Sequence, residues 1–213
     1  MKKSTLKTLL MMAGVVMALI LSSCASKVHL VQGEAAFVRQ SNGFILFEMD
    51  YSQCRVVEYS FFMNKIKEDF GTVDDYNRMR GEDWVADWPK VNQGMADAFM
   101  HRFNRRNKKG MQLTQYVIDA PYKMVFHVRH LDMGSTGAAV ASMLVNVLTD
   151  KYADEGGCII DGTIDIIDNH TGEKVATMAV DLTKGEGAYS ISESGRLASL
   201  LDDIGKYTYR GLK

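Results

Sequence analysis

The chain has 213 residues, 46% of them hydrophobic and 24% charged, with 25 Lys and Arg against 26 Asp and Glu for a formal net charge of -1. That length fits one ordinary domain whose core is large enough to fold without metal or disulfide staples. A balance this close to neutral argues against nucleic acid as a partner.

In chain order the first element is a leader. Met1 to Lys7 carries Lys2, Lys3 and Lys7 and no acid, and residues 8–21 form an apolar run rich in Leu, Met, Val and Ala. These are the charged and apolar regions of a secretory signal. The run falls short of the roughly 20 residues that cross a bilayer as a helix, so cleavage is expected, and the mature chain loses three Lys and becomes more acidic.

Leu21-Ser22-Ser23-Cys24 closes that leader with two small residues directly before a cysteine. This tetrapeptide resembles the lipobox of bacterial lipoproteins. The resemblance implies that the Cys24 sulfur receives a diacylglycerol, that fatty acids of the palmitate kind anchor the chain, and that Cys24 becomes the first residue of the mature protein. Two or three acyl chains hold a protein on a membrane stably where one does so marginally. Ala25, Ser26 and Lys27 follow, with no Asp in second place and no acidic cluster, which points to a periplasm-facing anchor in the outer membrane. The expected organisation is a signal peptide over 1–23, a tether over 24–34 and a single domain over 35–213.

Within that domain, residues 36–38 and 44–49 have the aromatic and branched density of strands, broken by the turn Ser41-Asn42-Gly43. Val57, Phe61, Phe62 and Ile66 are spaced more like a helix than a strand, and a short helix is expected over 56–70. Pro89 suits a first helical position. From there Val91, Met95, Ala98, Phe99 and Phe103 make an amphipathic helix that Gly110 stops. The basic cluster Arg102, Arg105, Arg106, Lys108 and Lys109 falls at its end, where cations complement the helix dipole.

Strands are expected over 111–117 and 122–131. In the second, Tyr122, Met124, Phe126 and Val128 share one face while Lys123, His127 and Arg129 share the other. Two more strands, 158–167 and 174–182, flank Asp168-Asn169-His170-Thr171-Gly172, a hairpin connection with Gly placed for a positive φ. Ser190 and Glu193 read as a capping box ahead of Leu197, Leu200, Leu201, Ile204 and Tyr207 in a last helix. The sum is an α+β two-layer sandwich, a largely antiparallel sheet with helices packed on one face.

An apolar insertion, about 134–153, interrupts the meander. Val140, Met143, Leu144 and Val147 in it are either core or an interface for a second copy, a lipid surface or a partner. Cys54 and Cys158 are either a disulfide, which an exported compartment permits, or two separately buried thiols. Trp84 and Trp88, with Glu82, Asp83 and Asp87 nearby, are either an aromatic ligand platform or anchors of the helix start.

Catalytic motifs are weak. The five histidines are scattered, and His127 and His130, three apart on a strand, are expected on opposite faces, so no metal site and no cofactor are expected. Gly185-Glu186-Gly187 lacks the strand and helix frame of a phosphate cradle. The order of elements with Cys24 resembles small envelope lipoproteins of the Bacteroidetes type. The function expected is a non-enzymatic, membrane-anchored binding or scaffold component, with an envelope protein or a second copy as partner. The alternatives are a ligand- or glycan-binding lipoprotein using Trp84 and Trp88, or a hydrolase, which needs carboxylates or histidines with shifted pKa gathered in a cleft.

Overall fold

The computed structural model describes residues 27–59, 65–117, 119–134, 157–184 and 192–213. In chain order these form β1 (Val28–Gly33), α1 (Phe37–Gln40), β2 (Phe44–Asp50), β3 (Arg55–Tyr59), β4 (Ile66–Thr72), α2 (Val73–Arg80), α3 (Glu82–Arg106), β5 (Gln112–Thr114), β6 (Tyr122–Asp132), β7 (Ile159–Asp168), β8 (Lys174–Lys184) and α4 (Glu193–Gly211). The eight strands make one sheet in the order β1-β8-β7-β6-β2-β5. β3 joins β6 beyond the end of β2, and β4 extends β3. β1-β8, β8-β7, β7-β6 and β3-β4 are antiparallel, while β2 and β3 both run parallel to β6. The architecture is an α+β sandwich, with helices against one face of the sheet.

Alternation along the strands builds the core. Ile45 and Phe47 of β2, Met124, Phe126 and Val128 of β6, Ile160, Ile164 and Ile166 of β7, and Ala176, Met178 and Val180 of β8 are buried in one cluster. Val38 of α1, Val73 and Tyr76 of α2, Met95, Phe99 and Phe103 of α3, and Leu197, Leu200, Leu201 and Ile204 of α4 fill the other side. The Phe99 ring stacks on Phe47 at 4.5 Å between centroids, which ties α3 to β2. Each such buried ring contributes about 1.5–3 kcal/mol relative to exposure.

α3 and α4 lie side by side and run in the same direction. Arg80, just before α3, pairs with Glu193 at the start of α4. The Phe99 backbone touches Gly205, and the Phe103 ring meets Tyr209. Both helix N-termini are therefore at one end of the molecule and both C-termini at the other.

Several expectations are corrected. Residues 28–33, expected as tether, are β1, with Val28 fully buried and paired with Val180. Residues 37–40 are α1 and not strand. The helix expected over 56–70 is instead the hairpin of β3 and β4; bulges between Val56 and Val57 and between Glu58 and Tyr59 break its alternation, and Phe61 and Phe62 lie outside the described residues. Pro89 sits inside α3, which starts at Glu82. A proline there removes the donor for the Val85 carbonyl, and Val85 is exposed, where water can replace that donor. α4 is capped by Ser192, whose hydroxyl accepts from the Gly195 N–H, while Glu193 turns to Arg80.

The hairpin at 168–172 forms as expected, with Gly172 at φ 74°. α2 carries a capping box, Thr72 with Asp75. The insertion residues Val140, Met143, Leu144 and Val147, and Cys24, lie outside the described residues. Among the described residues no helix is long and apolar enough to cross a membrane.

Candidate functional site

The sheet face turned away from the helices carries the polar half of each alternation. Along β7, Asp161, Thr163 and Asp165 alternate with the buried Ile160, Gly162 and Ile164, so three polar side chains line up on that face. β2 contributes Glu48 and Asp50, β6 Lys123 and His127, and β8 Lys174, Thr177 and Asp181.

His127 is the centre of this face. Its Nδ1 lies 2.7 Å from Asp50 Oδ2 and its Nε2 lies 3.3 Å from Asp165 Oδ2. Asp165, only 7% exposed, also lies 2.7 Å from Lys174 Nζ and accepts from the Thr177 hydroxyl at 2.7 Å. One network thus spans β2, β6, β7 and β8.

Asp50 ends β2 at the jog where the chain turns into β3. Its Oδ1 accepts the Ser52 N–H at 2.9 Å. That backbone donor, opposed by partial burial and helped by His127, holds the Asp50 carboxyl below its ordinary range.

The second histidine reaches the same face. β6 has a bulge between Val128 and His130, so that His127 is opposite Thr163, His130 is opposite Asp161 and Arg129 is the extra residue. The expectation that His127 and His130 project to opposite faces is therefore overturned. His130 Nδ1 lies 3.0 Å from Asp161 Oδ1, and Tyr59 sets its ring edge-on to the imidazole. At the sheet margin His29 Nδ1 is 3.3 Å from Asp181. Three histidines thus each meet an aspartate of a neighbouring strand.

Of the two His127 contacts, that of Nδ1 with Asp50 has hydrogen-bond geometry, while Nε2 approaches Asp165 at ion-pairing distance only. Among the described residues no group of three or more His, Cys, Asp or Glu is arranged to hold a metal ion.

The tryptophans are elsewhere. Trp84 and Trp88 are half-buried against the core, with centroids 6.4 Å apart. The Trp84 indole N–H donates to Asn77 Oδ1 at 2.8 Å, and the Arg80 guanidinium lies 4.6 Å from the Trp84 ring. Beside Trp84 is an open groove of about 540 Å³, lined also by Arg80, Asp87, Lys90, Val91 and Ser192 to Ser194. Trp88 turns away from that groove to meet Tyr51 edge-on. Glu82 and Asp83, in the first turn of α3, are exposed and complement its dipole.

Cys54 and Cys158 are free thiols, both buried. The Cys158 thiol donates to the Met133 carbonyl. Burial pushes both thiols up to about 12, which keeps them neutral while reduced.

The network Asp50, His127, Asp165, Lys174 and Thr177 was not singled out from sequence as a unit. A signal was present in the alternation of Asp161, Thr163 and Asp165 with Ile and Gly along β7. Which histidine faced them depended on the β6 bulge.

No family model and no curated protein matches the chain. Among solved structures it is similar to the PelC dodecamer from Paraburkholderia phytofirmans, at 12% identity and a TM-score of 0.39, with 83% of this chain and 94% of that chain covered. It is also similar to a DUF330 protein from Xanthomonas campestris, at 12% identity and a TM-score of 0.36, covering 85% and 91%. A DUF4136 family protein from Bacteroides thetaiotaomicron VPI-5482 aligns at 11% identity and a TM-score of 0.33, covering 87% and 97%. Likenesses this distant carry no functional argument.

Proposed function

We propose that the chain is a lipid-anchored envelope protein, held at Cys24 on the periplasmic side of the outer membrane, which binds or scaffolds a partner and catalyses no reaction. The observation that carries this reading is the mixed-charge sheet face around His127. Its imidazole stands between Asp50 and Asp165, and Glu48, Lys123 and Lys174 hold fixed charges of both signs beside it. Charges held in place give specificity and register at an interface. The anchor rests on Leu21-Ser22-Ser23-Cys24, and the partner is an envelope protein or a second copy of this chain.

Two measurements test the reading separately. Metabolic labelling with palmitate is expected to mark the protein and to lose that mark in Cys24→Ala; label that persists would remove the anchor. Cross-linking in intact cells is expected to give a defined adduct that Asp50→Lys and Lys123→Glu abolish while the fold survives. An adduct pattern indifferent to both variants would remove the sheet face as the binding surface.

A second reading has its own support in the groove beside Trp84. An indole flanking a concavity with Arg80, Asp87 and Lys90 suits a small polar ligand or glycan. Titration with soluble oligosaccharides is expected to change tryptophan emission in the wild type and not in Trp84→Phe. A flat titration in both removes this reading.

A further inference from the structure

Lys27, the first described residue, sits at the molecule's most unusual concentration of cations. Its Nζ lies 5.7 Å from the Tyr207 ring centroid, Lys206 Nζ lies 5.1 Å from it and Arg210 Cζ 6.0 Å. Two residues further along α4, on the other flank of its exposed side, the Arg39 guanidinium lies 4.7 Å from the Tyr209 ring and donates to its hydroxyl at 3.2 Å. The turn bearing Lys108 and Lys109 continues the patch, because Asn107 and Met111 both hydrogen-bond the Val38 carbonyl next to Arg39.

Lys206 has Asp203 at 3.2 Å. Among the described residues no carboxylate lies within ion-pairing distance of Lys27, Arg39, Lys108, Lys109 or Arg210. Of the nearby acids Asp202 is taken by Arg102 and Asp181 by His29, while Glu82, Asp83 and Glu193 stand in the first turns of α3 and α4 at the other end of the helix pair.

A helix dipole explains cations in the last turn of its own helix. It does not explain Lys27, just before β1, or Arg39, on α1, both brought onto tyrosine rings of α4. Tyrosine with lysine and arginine is the set that settles at the boundary between water and lipid headgroups.

From this we infer that the exposed side of the C-terminal end of α4, with Lys206 and Arg210 on it and Tyr207 and Tyr209 flanking it, lies on an anionic phospholipid surface. The inference rests on the anchor at Cys24 and deepens it by giving the domain an orientation. Two residues, Ala25 and Ser26, separate Cys24 from Lys27 in sequence, so the three Cα–Cα steps span at most about 11 Å. That distance is comparable to the roughly 8–10 Å over which headgroup charge acts at physiological salt. The anchor therefore holds the patch where the surface potential attracts it, and the polar sheet face and the Trp84 groove remain available to partners.

The test uses full-length protein extracted from membranes and returned to vesicles. Lysine acylation is mapped by mass spectrometry in detergent, on phosphatidylethanolamine–phosphatidylglycerol vesicles and on phosphatidylcholine vesicles, and the intact mass reports the lipid on Cys24. On the anionic vesicles Lys27 and Lys206 are expected to label about threefold less or lower than in detergent, with Lys67 and Lys90 unchanged, and added salt restores labelling. The double variant Lys206→Glu with Arg210→Glu is expected to lose the protection of Lys27.

Acylated Cys24 with equal labelling of Lys27 in detergent and on anionic vesicles overturns the orientation and leaves the anchor standing. Equal protection on phosphatidylcholine overturns it too, since headgroup charge then plays no part. Protection on anionic vesicles with an unmodified Cys24 removes the anchor and keeps the patch. An unmodified Cys24 with no protection overturns both.

Discussion

Asp165, only 7% exposed, accepts from the Thr177 hydroxyl and lies in ion-pair range of Lys174 and His127, and His127, at 39%, has water as a competitor for both of its contacts. The two members of one network should therefore differ in what their removal does. Asp165→Ala leaves Lys174, Thr177 and His127 without their shared carboxylate, and a loss of about 1–3 kcal/mol is expected. His127→Ala exposes two carboxylates that water can solvate, and its loss is expected to stay under about 1 kcal/mol. Urea unfolding of the two variants beside the wild type measures both, and equal losses would contradict the assignment of Asp165 as the keystone. Acid dependence adds a second prediction. Because the Ser52 N–H and His127 hold Asp50 below its ordinary range, the native state binds this proton less readily than the unfolded chain. Its contribution to stability is complete above the ordinary carboxylate value of about 3.9 and declines as pH falls through the lower native value. Thermal midpoints taken downward from pH 6 should fall less steeply in Asp50→Asn than in the wild type.

Among the elements, α3 and α4 show how close packing overrides propensity. Gly205 lies inside α4, where glycine is less favourable than alanine by about 1 kcal/mol. A Cβ there would meet the Phe99 carbonyl oxygen of α3 at 2.4 Å, an oxygen fixed in a helix backbone that cannot rotate away. Overpacking of this kind typically costs about 1–3 kcal/mol, so sterics exceed propensity and Gly205→Ala is expected to destabilise, read as a lower urea midpoint. A gain in stability would mean that the two helices separate easily. The same contrast between local pattern and packing explains what could be read from the chain. β6, β7, β8, the body of α3 and α4 were readable because their apolar positions keep strict periods of two or of three to four. The β3–β4 hairpin was not, because two bulges shift its alternation until it resembles a helical spacing. A bulge also hid the pairing of His130 with Asp161, since counting by twos from His127 puts residue 130 on the wrong face. Local rules alone make Pro89 a helix start, whereas α3 begins seven residues before it, with Trp84 and Trp88 packed against the core.

At the scale of the whole molecule, the position of β1 decides how near to Cys24 the folded domain begins. Were residues 28–33 a tether, a chain beginning at Ala35 would be as stable as one beginning at Lys27. The fold gives the opposite expectation. β1 pairs with β8 along the sheet margin, Val28 is fully buried, and a Cβ at Gly211 would come within 2.9 Å of the Val28 carbonyl, so the strand also closes the end of α4. Removing it withdraws a buried side chain worth about 1.5–3 kcal/mol and opens the β8 edge, whose Met178 and Val180 are covered in the complete sheet. A total loss on the order of 3–5 kcal/mol is a large share of the roughly 5–15 kcal/mol by which a domain of ordinary size is stable. Urea unfolding of the two chains should show the shorter one melting well below the longer. Superimposable transitions would restore residues 28–33 to the role of a linker and lengthen the reach between Cys24 and the folded domain. With β1 integral to the sheet, only three residues lie between Cys24 and the first strand, so that a lipid on Cys24, as proposed, would hold the folded domain close to its membrane.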